Sequence, residues 1–224
     1  MTLPAGLPAP VQRHLEAAGV ASSAPIEHVA FSGRGAVRQP VLGGLGVWLP
    51  VTWEARLLPA LEFVWKARVR LLGLPLLSAS DEYRGGRGRL VVGRKVSAGE
   101  AFDRAEYAVL WSWTILLAPR EALARPDVFC EVVDQTTSRL AFPFRSETWE
   151  ATLRFDASTG LLARLETHRF NPRSGHPQRW SVEVERYGPD GSRRFPAGVL
   201  SRWDGEPAVR LELDRVETGQ WVGR

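Results

Sequence analysis

The sequence predicts a mainly β fold with some helix: a curved antiparallel sheet or half-open barrel of about ten strands enclosing one apolar helix, preceded by a short N-terminal helix. Three observations carry this expectation. Apolar and polar residues alternate with a period of two through most of the 224 residues, the pattern of strands with one face on a core and the other in water. Glycine-containing clusters separate the alternating runs at hairpin spacing. One run, Tyr107 to Ala118, has no charge on any helical face, so a helix there must be covered on all sides. Curling the sheet around it is a simple way to cover it.

Each element has its own justification. Pro10 suits the first turn of a helix, Val11, Leu15 and Ala18 repeat at helical spacing, and Gly19 can close the helix in the left-handed conformation. So short a helix cannot bury its stripe alone and should pack on an outer edge of something larger. From Ile26 the period changes to two. Val29, Phe31, Gly33 and Val37 share one side of the first strand, and Val47, Leu49, Val51, Trp53, Ala55 and Leu57 one side of the second. In the third, Phe63, Trp65, Ala67 and Val69 alternate with Lys66, Arg68 and Arg70. After a turn at Gly73-Leu74-Pro75, two more strands run from about Leu76 to Arg84 and from about Arg87 to Val96, with Gly85-Gly86 as turn or bulge. Ser97-Ala98-Gly99-Glu100 reads as a capping box that opens the apolar helix, Ala98 to Ala118, which Pro119 ends. Strands resume at Val128, and Asp156 to Gly160, Gly188 to Gly191 and Asp204 to Pro207 mark turns between them. The whole chain, 1–224, reads as a single domain.

Composition narrows the functional classes. The net charge is +4, but the arginines are spread along the chain among 25 acidic residues. That spread fits solvated strand faces better than a nucleic-acid stripe. The longest uncharged apolar run, Tyr107 to Ala118, is far short of the roughly 18 to 20 residues that cross a bilayer. Met1 to Pro10 carries no basic cluster followed by an apolar stretch, so no secretory signal is expected. A single cysteine, Cys130, agrees with a reducing compartment, and the expected location is cytoplasmic. Alternation puts Cys130 on an apolar face with Val128 and Val132, as a small core residue.

The usual catalytic motifs are missing: there is no Gly-x-Ser-x-Gly elbow, no phosphate-binding loop, no His-Glu-x-x-His and no Cys-x-x-Cys. His14, His28, His168 and His176 stand singly, without metal-ligand spacing. No catalytic residue, metal ligand or cofactor is assigned. Arg84-Gly-Gly-Arg-Gly-Arg89 lies inside a predicted hairpin without interleaved aromatics, so its glycines mark a bulge or a close backbone approach rather than a nucleic-acid contact. Asp81 and Glu82 are adjacent and point to opposite faces of a strand; an acid and base would have to come from distant strands, for example Glu54, Asp81 and Glu150. The nine tryptophans are a richer signal. They fit plain core packing, or an aromatic-lined cavity that accepts an apolar ligand.

The order of elements carries a resemblance. A proline-flanked helix, strands with Phe63-Val64-Trp65 and with Asp81-Glu82-Tyr83-Arg84 and its glycines, an apolar helix with Trp111, and a hairpin with Leu153-Arg154-Phe155-Asp156 and Gly160 resemble a bacterial family of unknown function. That family is similar in turn to the lipoprotein-carrier fold of LolA and LolB, a half-open antiparallel barrel whose hollow is plugged by helices and holds acyl chains. The resemblance implies an acidic residue about one turn before the helix tryptophan, where this chain has Ala108. The expected function is a binding module or carrier for an apolar, lipid-like ligand, with Trp53, Trp65, Tyr83, Trp111 and Trp113 lining the hollow. A hydrolase using carboxylates from several strands, and a basic interaction or nucleic-acid-binding protein, are the competitors. The carrier predicts an interior free of charge; the enzyme predicts ionisable groups converging inside it.

Overall fold

The computed structural model describes residues 6–21, 23–40, 46–71 and 74–219. The leader-free reading of Met1 to Pro10 and the turn at Gly73 fall partly outside those residues. The helix α1 (Ala9–Ala17) is followed by six strands, β1 (His28–Pro40), β2 (Gly46–Leu58), β3 (Glu62–Leu71), β4 (Leu74–Arg84), β5 (Arg87–Val92) and β6 (Lys95–Ala98). Two helices, α2 (Glu100–Leu117) and α3 (Pro119–Leu123), lead to seven more strands, β7 (Phe129–Val132), β8 (Thr137–Phe144), β9 (Glu147–Phe155), β10 (Leu162–Asn171), β11 (His176–Asp190), β12 (Arg193–Trp203) and β13 (Glu206–Gly219).

Among the described residues all thirteen strands join one sheet in the order β6-β5-β4-β3-β2-β1-β13-β12-β11-β10-β9-β8-β7. The chain starts at the middle, steps outward as a meander to β6, crosses through α2 and α3 to the far edge, and steps back until β13 pairs with β1. The crossing segment is the apolar helix, so the connection between the two wings is also what fills the space between them. Val29, Phe31, Val51, Trp53, Ala55, Leu57, Phe63, Ala67 and Val69 are buried on the side that meets α2, as their alternation requires.

Three glycines shape the β4–β5 hairpin and its approach to the helix. Gly85 and Gly86, at φ +54° and +77°, form the two-residue turn between β4 and β5. A Cβ on Gly88 would lie 2.1 Å from the Phe102 carbonyl oxygen, so only glycine lets β5 touch the first turn of α2. The arginine–glycine segment is therefore structural. At the other end, α1 buries Val11 and Leu15, and the His14 Nδ1 accepts the Leu162 backbone N–H at 3.1 Å.

Several expectations are corrected. Thirteen strands replace about ten, partly because Gly93 (φ +60°) turns the run after Arg87 into a β5–β6 hairpin. Ser97 does not cap α2: it pairs with Leu90 in that hairpin, the helix begins at Glu100, and Gly99 at φ +111° holds the cap position. The stop at Pro119 holds, since α2 ends at Leu117 and Ala118 leaves helical conformation at φ −139°; what was not expected is that Pro119 then opens a second helix, α3. Gly188 and Pro189 lie within the β11–β12 ladder, leaving Gly191 and Ser192 as the turn. Cys130 is only half-buried and Val132 is exposed, because β7 is an edge strand with nothing packed over that residue. No helix among the described residues is long and apolar enough to cross a membrane.

Candidate functional site

The helix α2 divides the hollow, and the aromatics sort by which side of it they meet. Trp113 packs with Phe31 and Trp53, ring centres 4.9 and 6.3 Å away. Trp111, two residues earlier, faces the other wing, where it stacks on Phe142 at 4.0 Å, and Phe142 stacks on Trp149 at 4.9 Å. Tyr83 meets Tyr107 at 5.4 Å. Trp53 and Trp113 are thus neighbours, Tyr83 and Trp111 each contact Tyr107, and Trp65 stands apart from these ring contacts, half-buried on β3. Four of the five expected residues pack against one another or against the helix in the filled part of the hollow.

Toward the end of the sheet where β2, β4 and β6 begin, the inward face is not covered. Register places Val37, Leu49, Leu77 and Val209 on that face, and all four are half-buried. Beyond them, Val47 is 44% exposed, Val92 38% and Leu74, at the rim, 71%. Inward-facing apolar side chains left in solvent are the informative kind of exposure, because their burial elsewhere in the same strands is nearly complete.

The interior is not free of charge, which corrects the expectation tied to the carrier: ionisable groups converge inside it. On α2, Glu106 is 1% exposed and its Oε1 accepts from Arg169 Nη2 of β10 at 3.0 Å. Arg169 also donates through Nε to the Ala105 carbonyl at 3.1 Å and lies over the rings of Trp180 and Trp203, 5.2 and 5.5 Å from their centres. From the opposite wing comes Asp81 of β4, directly across the ladder from Trp65. Glu106 Oε2, Asp81 Oδ1 and Trp65 Nε1 are withdrawn from solvent and have no hydrogen-bond partner among the described residues. Burial pushes Glu106 up to about 8, the Asp81 charge adding to the effect and Arg169 opposing it. Asp81 is raised as well, by burial first, with Arg169 pulling the other way. Two acids that share one arginine in a dry site cannot both ionise cheaply, so the trio holds a proton at neutral pH.

One turn before Glu106 a second buried carboxylate is differently served. Asp103 accepts from the Gly88 N–H at 2.8 Å and pairs with Arg145 at 2.5 Å and Arg87 at 3.6 Å. Burial would raise it, but these hydrogen bonds and charges prevail and hold it below the usual carboxylate range. Arg145, in the β8–β9 turn, also reaches the Gly86 carbonyl, so Asp103 latches the two wings together across the helix.

Beside the latch, β9 and β10 pair only from Leu162 to Glu166 and separate beyond. A cleft of about 690 Å³ fills the gap, with Phe144, Trp149 and Phe170 as apolar wall and Arg104, Glu147 and Arg169 as polar wall. Arg169 belongs both to this wall and to the buried trio. Glu54 and Glu150, offered from the sequence as partners for Asp81, lie exposed on the outer face; the acid that meets Asp81 is Glu106, on the helix. The acid implied near Ala108 is absent at that position, but one stands two residues earlier. The sequence carried a usable signal for it: Glu106 is four residues before Leu110 and seven before Trp113, on a helix whose face there is buried. On the outer face many of the arginines are paired, among them Arg34 with Asp214, Arg38 with Glu206, Arg202 with Glu183 and Arg210 with Glu185. This disperses the charge that a nucleic-acid face would concentrate. No group of three or more His, Cys, Asp or Glu suited to a metal occurs among the described residues.

A family model, Family of unknown function (DUF6544), matches residues 2–209. No curated protein matches. Among solved structures the chain is similar to a domain described as an outer membrane lipoprotein-sorting protein from Vibrio parahaemolyticus, at 6% identity and TM-score 0.51 over 95% of each chain. It also aligns with a LolA superfamily protein from Nitrosomonas europaea, at 11% identity and TM-score 0.48 over 94% of each chain. A DUF1329 family protein from Desulfovibrio piger aligns at 9% identity and TM-score 0.49, over 96% of this chain and 93% of that one. At these identities the likeness is one of fold, that of the lipoprotein-sorting domain.

Proposed function

We propose, for a chain that belongs to the family of unknown function DUF6544, that its hollow holds an apolar, lipid-like molecule against the uncovered part of the inward face, as a carrier or sensor. The observation that supports this reading is the row of inward apolar residues outside the reach of α2: Val47, Leu74 and Val92 exposed, with Val37, Leu49, Leu77 and Val209 half-buried. Trp65 would line the occupied part of the hollow. Trp53, Tyr83, Trp111 and Trp113 would line the helix-filled part behind it, where their packing keeps the hollow's shape. The driving force is removal of apolar surface from water, about 25 cal/mol per Å² before ordering costs. The likeness to a lipoprotein-sorting domain is consistent with such a role, at the level of fold. The lone cysteine fits a reducing compartment such as the cytoplasm.

Native mass spectrometry of protein purified gently from its own host tests this. A stoichiometric apolar adduct, lost on substitution of Leu74 and Val92 by arginine, is the expected result; protein free of adduct under every gentle condition, and indifferent to added lipid, would overturn it.

The convergence of Asp81, Glu106 and Arg169 favours one second reading, an acid–base enzyme whose substrate enters by the cleft beside Arg169. It predicts turnover that Glu106→Gln abolishes, whereas the carrier returns its ligand chemically unchanged.

A further inference from the structure

We infer that the base of the hollow is a head-group site, in which Asp81 and Glu106 receive the protonated amine of an amphiphile whose apolar tail lies along the uncovered strands. The inference rests on the apolar-ligand reading and adds the chemistry of the polar end. Three observations carry it. The two carboxylates each keep an oxygen that no protein group satisfies, Asp81 Oδ1 and Glu106 Oε2, and buried acceptors in native proteins nearly always have a partner. With both acids ionised, both missing partners are hydrogen-bond donors. A carboxylate or phosphate head would bring only more acceptors and more negative charge.

Charge balance points the same way. The sole positive group of the trio, Arg169, is already engaged by Glu106 Oε1, the Ala105 carbonyl and the faces of Trp180 and Trp203. With both acids ionised the trio is one negative charge in excess, which a dry site does not tolerate. A proton removes that excess when the site is empty; an ammonium group removes it when the site is filled, supplying three donors at once. Binding then exchanges one cation for another: the amine enters protonated, Glu106 gives its proton to solvent, and the net charge of the site stays at zero.

The position is also right. Asp81 and its cross-strand neighbour Trp65 are half-buried, at the margin where helix cover gives way to the open wall of Leu77 and Val92. Trp65 adds an aromatic ring beside Asp81, a surface that suits a cation. An amphiphile with its amine at this margin would run its tail outward over Leu77, Leu49 and Val47.

The test compares three probes with one tail, dodecylamine, dodecanol and dodecanoate, each below its micelle concentration, by calorimetry on the full chain. At pH 8 the amine should bind at least about tenfold more tightly than either of the others, the scale of one charged hydrogen bond. It should release about half a proton per molecule at pH 8 and close to one at pH 7, where Glu106 is mostly protonated before binding, read from the difference between two buffers of unlike ionisation enthalpy. Its advantage should shrink toward pH 5, where the site holds its own proton; Asp81 and Arg169 are the charged groups acting on Glu106 there. Asp81→Asn and Glu106→Gln should each erase most of the amine's advantage over dodecanol. Equal binding of the three probes, tightest binding of dodecanoate, or amine binding without proton release in the wild type would overturn the head-group site while leaving the apolar reading intact. Failure of all three to bind would overturn both, and needs no variant to fold.

Discussion

Replacing Glu106 with glutamine should change how stability depends on pH, in a direction the geometry fixes. The amide keeps an oxygen for Arg169 and removes the ionisation. In the wild type, burial and Asp81 raise Glu106 from 4.5 to about 8. Between those values the native state keeps a proton that the unfolded chain has lost, so unfolding free energy falls as pH rises. The contribution is fully present below about pH 4.5 and lost by about pH 8. At roughly 1.4 kcal/mol per pH unit, the loss relative to Glu106→Gln reaches about 5 kcal/mol as an upper bound, because Asp81 titrates jointly with it. Urea unfolding of both proteins at pH 5, 6, 7 and 8 measures the difference directly, and taking the difference cancels the titrating groups that do not act on Glu106. A gap that widens in favour of the variant by several kcal/mol across that range is the expected outcome. Parallel curves, within about 0.5 kcal/mol of each other, would show that Glu106 ionises freely in the fold and that the buried trio does not form.

The opposite sign belongs to His14, whose burial lowers it to about 4. Stability should fall as pH drops from about 6.5 toward 4, and His14→Gln, whose amide oxygen can accept the Leu162 N–H, should remove that slope in the same urea series. Gly88→Ala should destabilise by about 3 kcal/mol, the upper end for overpacking, since its methyl would meet the Phe102 and Asp103 backbone rather than a yielding side chain. A drop in melting temperature of about 6 to 12 °C is the readout, and an unchanged value would deny the contact between β5 and α2. Burial pushes the Cys130 thiol up to about 12, so alkylation by iodoacetamide at pH 8 should run at least about 100-fold slower in the native protein than in the urea-unfolded chain. Equal rates would contradict its placement in β7.

The sheet was legible because alternation and burial are local facts. Phe63, Ala67 and Val69 could be assigned to the inner face from their spacing alone, and the uncharged run from Tyr107 announced an enclosed helix. What failed was local pattern overruled by pairing. Ser97 has the spacing of a capping residue, but its backbone is committed to Leu90 in a hairpin that nothing in the capping pattern reveals. Val132 alternates like a core residue, yet at a sheet edge the alternation has no partner layer to face. The site was legible only in pieces. Asp81, Glu106 and Arg169 come from β4, α2 and β10, separated by most of the sheet's width, and their meeting depends on how the two wings curl. For Asp81 the sequence suggests partners on other strands, because nothing local links it to a helix. Glu106 stands at the edge of an uncharged run, where an acid near a helix start is ordinarily solvated, so its spacing to Leu110 and Trp113 is the one local sign of its burial.

Mapping where an apolar chain contacts the protein tests most directly whether the hollow takes a ligand. A fatty alcohol carrying a diazirine along its tail, bound below its micelle concentration and photolysed, should label peptides holding Val47, Leu49, Leu74, Leu77 and Val92, the uncovered inward face. Labels confined to the exposed edge residues Phe129 and Val132, or spread over the outer face, would mean that the hollow takes no ligand.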